Sequence, residues 1–272
     1  MRARDGLQHR ENIIEACVIQ ARQPLTLPRM PVFANTLCRV RQGEKRLQWE
    51  DREMRAGPGH LILMPAGREL GISNLPGRHG HYSADAVTVP LPIMRGFSAR
   101  YSQLILSSRS VSTTDLCVPL DTHTAQAWDQ LLAAIHANAH PALRTHYAEA
   151  VLLSLCLSGH AGPLLTGRND PLCERVQQLV MGSPERDWTV ASIAHCLNLG
   201  ESTLRRQLAN EGDSFRNILE GVRLATALQL LQTTSRPVGE VAGACGYASA
   251  SRFAVRFRAR YGLSPRALRA AI

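Results

Sequence analysis

Val238-Gly-Glu-Val-Ala-Gly-Ala-Cys-Gly-Tyr-Ala-Ser-Ala-Ser-Arg-Phe-Ala-Val-Arg-Phe257 decides the fold, because its pattern occurs twice in the chain. Val238, Val241 and Ala242 repeat Val190, Ile193 and Ala194 at an offset of 48. Ser249, Phe253 and Phe257 repeat Gly200, Leu204 and Leu208 at an offset of 49, so the second turn holds one extra residue. Each copy reads as a short helix, a tight turn near Gly200 or Gly246, and a second helix of apolar period. Ala194 and Ala242 suit helices that cross at close range, where a larger side chain would hold them apart. This is the layout of a helix-turn-helix unit, whose second helix fits a major groove.

The outward positions of the second helices determine what they can read. In the first copy Ser202, Arg205 and Arg206 lie off the Leu204–Leu208 face. Arginine presents a rigid donor fork that matches guanine or phosphate oxygens. In the second copy Ser249 is a good N-cap, leaving free backbone amides at a helix start where a phosphate docks well. Ala250, Ser251, Arg252, Val255, Arg256 and Arg258 follow. Between the copies, Ser214 caps an expected helix reaching about Leu231, with Phe215, Ile218, Leu219, Val222, Ala225 and Leu228 inward, and Pro237 stops it from running on. Its length is roughly 26 Å at ~1.5 Å per residue. With side chains and loops it approaches the ~34 Å between successive major-groove faces.

The charge balance agrees. The chain has 272 residues, 31 basic and 22 acidic, for a net charge of +9, and Lys45 is its only lysine. Residues 241–272 hold six arginines and no acid, a block that favours a polyanionic partner. No run approaches the ~18 apolar residues of a transmembrane helix. The polar start Met1-Arg-Ala-Arg-Asp5 has no apolar run after it, so neither a signal peptide nor a membrane partner is expected, and the expected location is cytoplasmic. Seven scattered cysteines without a C-x-x-C argue against a disulfide scaffold or a structural zinc. Cys156, Cys196 and Cys245 fall on apolar helical faces and read as small core residues.

Upstream, residues 30–90 show short strands at roughly ten-residue spacing, which predicts a small antiparallel sandwich or barrel. Val32 to Val40, His60 to Met64, the alternation at Leu70 and Ile72, and Tyr82 to Val89 are the candidates. The period then changes to 3.6. Ile93, Met94, Phe97 and Tyr101 share one helical face, Trp128, Leu131, Leu132 and Ile135 another, and Leu143, Tyr147, Val151 and Leu155 a third. The fold class is α+β, with a β-domain and helical pair followed by an all-α domain. The boundaries expected are 1–120 for the β-domain, 121–160 for the helical pair, 161–171 for a linker and 172–272 for the double helix-turn-helix.

Gly246-Tyr-Ala-Ser249, Ser251, Phe253, Phe257 and Tyr261-Gly-Leu-Ser-Pro265 closely resemble the second-repeat signature of AraC/XylS-type transcription regulators. Trp188-Thr through Ala194 and Glu201-Ser-Thr-Leu-Arg-Arg206 are similar to the first repeat. The resemblance covers about residues 172 to 269. Cys245-Gly-Tyr-Ala-Ser249 and Leu204-Arg-Arg-Gln-Leu208 look most like the branch controlling virulence and acid resistance. The family's base-reading positions fall on Ser202, Arg205 and Arg206, and on Ala250, Ser251 and Val255. Leu268-Arg269 stands where the family has an aromatic-Arg pair. Gly59-His-Leu-Ile-Leu-Met-Pro-Ala-Gly67 is similar to the family's cupin-like effector domain, and helices over 124–138 and 142–158 correspond to its dimerisation helices.

The resemblance implies a cytoplasmic regulator, an activator by preference, binding double-stranded promoter DNA and working with RNA polymerase. It also implies a homodimer and an effector that is fatty acid-like or a regulatory protein. No cofactor, no metal and no catalysis are expected. The rival of another class is a metal-binding cupin enzyme fused to a DNA-binding domain. His79-Gly-His81 offers two imidazoles, but no Glu follows at cupin spacing and no later His completes three ligands. No G-x-S-x-G, P-loop or G-x-G-x-x-G occurs either. A low-specificity nucleoid-type binder is the other rival, since Ala250 and Val255 make no polar base contact.

Overall fold

The computed structural model describes residues 13–49, 51–78, 80–108, 115–165 and 172–272. Contacts divide the chain into two units, one of residues 1–26 and 34–166, the other of residues 27–33 and 167–272.

Among the described residues there are nine strands: β1 (Glu15–Ala21), β2 (Leu25–Val32), β3 (Asn35–Gln42), β4 (Glu44–Trp49), β5 (Arg52–Ala56), β6 (His60–Met64), β7 (Arg68–Leu75), β8 (Tyr82–Val89) and β9 (Cys117–Pro119), all in the N-terminal unit except residues 27–32 of β2. One sheet runs β1-β8-β3-β6-β9 and the other β2-β7-β4-β5. β7 alternates buried and half-buried residues, as a strand with one covered face should. β8 departs from that pattern because both its faces are covered. Leu37, Leu61, Leu63, Val87 and Val89 face helices α1 (Leu91–Arg100), α3 (Thr122–His136) and α4 (Pro141–Leu157), where Phe97, Trp128, Leu131, Val151 and Leu155 complete the core. Tyr82 points the other way, towards Lys45 of the second sheet, whose Nζ lies 5.4 Å from the ring centroid.

Several expectations are corrected here. The run Val32 to Val40 is not one strand, since β2 ends at Val32 and β3 starts at Asn35. Strands β1, β4, β5 and β9 lie outside the strands expected from the sequence. In β4 the single lysine points inward, 1% exposed, and donates to Asn74 Oδ1 at 2.6 Å. That inversion hides the strand from a polar/apolar count. In α4 the buried face includes Arg144 and Glu149, and Leu143 is 50% exposed. Arg144 is drawn inward by carbonyl acceptors, donating to Ala139 O at 2.9 Å and to Asn138 Oδ1 in the α3–α4 loop. Short helices α2 (Ser102–Ser108) and α5 (Gly162–Leu165) also lie in this unit. Ala161, Leu164 and Leu165 pack into its core, so the first part of the expected linker is part of the folded unit, and 166–171 lie outside the described residues. Cys196, expected in a core, is exposed, whereas Cys156 and Cys245 are buried.

The C-terminal unit holds seven helices among the described residues. They are α6 (Leu172–Gly182), α7 (Val190–Cys196), α8 (Glu201–Asn210), α9 (Phe215–Thr233), α10 (Val238–Ala244), α11 (Ala250–Tyr261) and α12 (Pro265–Ala271). Ser214 caps α9 by accepting from Asn217 N, and the helix ends at Thr233, close to the expected Leu231. The buried set of α9 is wider than one stripe: Ile218 and Val222 join the core of the first repeat, while Leu224, Ala227 and Leu231 are buried as well. The reason is that α9 packs on α6 along one side and on α10, α11 and α12 along another. It closes the first repeat and opens the second.

Candidate nucleic-acid interface

The first unit begins in the loop before α7. Trp188 is buried, donates its indole N–H to Ser183 O at 2.9 Å, and carries the Arg186 guanidinium 4.3 Å from its ring centroid. Thr189 and Ser192 then form a reciprocal capping box, which satisfies two amides that a helix start leaves open. Ile193 and Ala194 are buried beneath α8, and Leu199 N donates to Ala194 O at 2.9 Å to close the turn. The second unit copies this closure 48 residues on, where Tyr247 N donates to Ala242 O at 3.0 Å. The left-handed residue of each turn is Asn198 (φ 54°) and Gly246 (φ 76°). The turn thus lies next to Gly200, as expected, and Gly200 itself is the N-cap of α8 with an ordinary φ of −76°.

Helix α8 buries Leu204 and Leu208 and presents Ser202, Arg205 and Arg206 to solvent. Arg205 Nη2 lies 3.1 Å from Glu201 Oε2, an exposed ion pair one turn apart. Such pairs contribute ~0–1 kcal/mol, so the guanidinium can exchange this partner for another oxygen at little cost. Among the described residues Arg206 has no hydrogen bond or ion pair. In α11 the buried face is aromatic: Phe253, Phe257 and Tyr261 stack with centroids 5.5 and 4.7 Å apart. Ser249 caps this helix, its Oγ accepting from Arg252 N, and Gly262 ends it in the left-handed conformation. Ala250, Ser251, Arg252, Val255, Arg256 and Arg258 all lie on its exposed side, with Val255 68% exposed. Arg256 Nε sits 3.6 Å from Glu220 Oε1 on α9. All ten residues read as site candidates are thus on α8, α11 or its cap, and on the faces turned away from the core.

The geometry adds groups that the sequence reading passed over. A cleft of about 340 Å³ opens between α9 and the start of α11, lined among others by Arg216, Glu220, Arg223, Tyr247, Ser249 and Arg252. Arg216 follows the Ser214 cap by two residues, on the exposed side of α9; that offset from the apolar stripe was its only sequence signal. The cleft therefore gathers cations beside a helix N-terminus, which favours an anionic oxygen. Burial pushes the Tyr247 hydroxyl and the Cys245 thiol each up to about 12, so neither carries charge near neutral pH. Among the described residues no group of three or more His, Cys, Asp or Glu is placed to hold a metal. His79 of the His79-Gly-His81 pair lies outside the described residues.

Residues 193–271 match a family described as a helix-turn-helix domain. The transcriptional regulator YdeO of Escherichia coli K12 is 33% identical over 126 residues, covering 44% of this chain and 49% of that protein. The transcriptional regulator GadX of Escherichia coli O6:H1 is 36% identical over 104 residues, 38% of each chain. The chain thus spans at most about half the length of these curated relatives. Over nearly the whole chain the fold is that of ToxT from Vibrio cholerae, solved with an unsaturated fatty acid bound, with a TM-score of 0.67, 14% identity, and 94% of this chain and 95% of that one covered. No helix among the described residues is long and apolar enough to cross a membrane. Over its C-terminal helices the chain thus carries a helix-turn-helix domain similar to those of transcriptional regulators.

Proposed function

We propose that this chain is a sequence-specific DNA-binding transcription regulator that reads two successive major-groove segments of promoter DNA. The observation that carries the reading is the pairing of two helix-turn-helix units on one shared helix, each with arginines on the solvent face of its second helix. Ser202, Arg205 and Arg206 are the base readers of the first unit. In the second, Ala250, Ser251 and Val255 face the bases, with Val255 suited to thymine methyl groups, while Ser249, Arg252, Arg256 and Arg258 hold phosphates. Arg216 extends the phosphate contact.

The N-terminal unit senses an effector, dimerises the chain, or does both. Its likeness in fold to a fatty acid-bound relative supports an apolar carboxylic acid as the first effector to try. The protein is then a cytoplasmic, non-enzymatic activator acting with RNA polymerase. Selection of duplexes by the full chain from a randomised pool tests the central reading. The expected result is a motif of two parts, the part under α8 more sharply defined, with centres one helical turn apart. Selection that enriches no sequence would replace this reading with that of a nucleoid-type binder.

A further inference from the structure

Arg223 of the shared helix α9 has neighbours from both units. Its Nε donates to Pro184 O at 2.9 Å and its Nη2 to Arg186 O at 3.0 Å, in the loop that enters the first unit. The other neighbour is Gly246, the left-handed residue of the second unit's turn. A methyl group on Gly246 would lie 2.6 Å from Nη2, 2.7 Å from Cζ and 2.8 Å from Nε of Arg223. The guanidinium therefore fills the space a side chain at 246 would need. Arg269 of α12 makes a similar pair of bonds, donating to Thr234 O and Arg236 O in the loop entering the second unit.

We infer that Arg223 is a positioning residue that sets the orientation of one helix-turn-helix unit against the other. The inference rests on the proposed reading of two groove segments. A helix of 19 residues joins the units, with α10, α11 and α12 packed on it, and the Arg223 contact ties the turn of the second unit to the loop that enters the first. The guanidinium is planar and rigid, with donors at its edge and flat faces for packing. Its edge is held by carbonyls of the first unit and it packs against the backbone of the second unit's turn, so a pivot of that turn breaks the packing. Position 246 is glycine for two reasons, the positive φ and the guanidinium beside it. The second reason distinguishes it from Gly262, where φ is 78° and nothing lies within 4 Å of an added methyl.

The test uses the full chain with Arg223→Ala, Gly246→Ala, the double variant and Gly262→Ala as the control for backbone strain alone. The probes are the duplex selected from the randomised pool and the same duplex with either half scrambled. Gly246→Ala and Arg223→Ala should each weaken the intact duplex about tenfold or more, while changing affinity for the first half alone by less than about twofold. The double variant should bind within about twofold of Arg223→Ala, because the methyl group acts by displacing the guanidinium. Gly262→Ala should keep the ratio between intact and half duplexes. Additive losses in the double variant, equal losses on half and intact duplexes, or the same ratio change in Gly262→Ala would overturn the inference. If the unsubstituted chain binds every duplex alike, the functional reading fails instead. The cycle of Arg223→Ala and Gly246→Ala measured by denaturant unfolding then decides the clasp: coupling supports it and additivity overturns it.

Discussion

Arg205 and Arg206 are neighbours on α8 but begin from different states, one paired with Glu201 and the other without a partner among the described residues. Replacing either with alanine should cost ~1–3 kcal/mol on the selected duplex and relax discrimination at one base pair. Arg258→Ala should weaken all duplexes alike and lower the salt slope by about one unit. Affinity measured across a site library at several salt concentrations separates the two patterns, and uniform losses at Arg205 and Arg206 would remove their assignment as base readers. Lys45 gives a second test at this scale. Burial lowers its pKa, so the unfolded chain binds more protons between the folded value and the ordinary ~10.4, and stability rises with pH across that window. Replacing Lys45 by Met together with Asn74 by Leu, which leaves no acceptor stranded, should flatten that rise in denaturant unfolding from neutral to alkaline pH.

At the scale of elements, the helix starts carry much of the local specification. Glu211, just past α8, accepts from the amides of Leu172 and Cys173 at 2.7 and 2.8 Å and so caps α6 from a distance. Burial raises its carboxyl, but hydrogen bonds from Cys173 and Leu172 more than offset this and hold it below the ordinary range. A depressed folded pKa contributes stability above the unfolded value of ~4.3, and that stability is lost as pH falls through the folded pKa. Glu211→Ala should therefore lower stability by about 1 kcal/mol at neutral pH and by less in acid, read by denaturant unfolding at both. The second repeat was legible because period 3.6, Ser249 and Gly246 all point to one arrangement. The first turn was placed only approximately, near Gly200, because asparagine, able to adopt a positive φ, stands in for glycine two residues earlier at Asn198. The polar hairpin β4–β5 and the Leu143 side of α4 escaped for a common reason: Lys45 and Arg144 are buried through partners distant in sequence or in a loop, which composition cannot reveal. Likewise Arg223 as a clasp needed coordinates, since both its carbonyl partners lie 37 or more residues away.

For the whole molecule, the two repeats have their own buried residues within 172–272, so that fragment should fold and bind the selected duplex without the N-terminal unit. If the helices at 122–157 dimerise the chain, the full protein should bind a tandem site more tightly than the fragment, because linked sites raise effective concentration. Sedimentation of residues 1–165 at tens of micromolar checks the premise, and a monomer there would remove the dimer. The central claim is that α9 holds two reading helices on one face of the duplex. One alanine inserted after Leu224 turns everything beyond it by ~100° and advances it only ~1.5 Å. The measurement is hydroxyl-radical footprinting of this insertion variant on the selected duplex, with circular dichroism confirming that it is folded. The account predicts a footprint shortened by about one helical turn, with protection kept under α8 and lost under α11. A folded insertion variant that still protects the full-length site would contradict it.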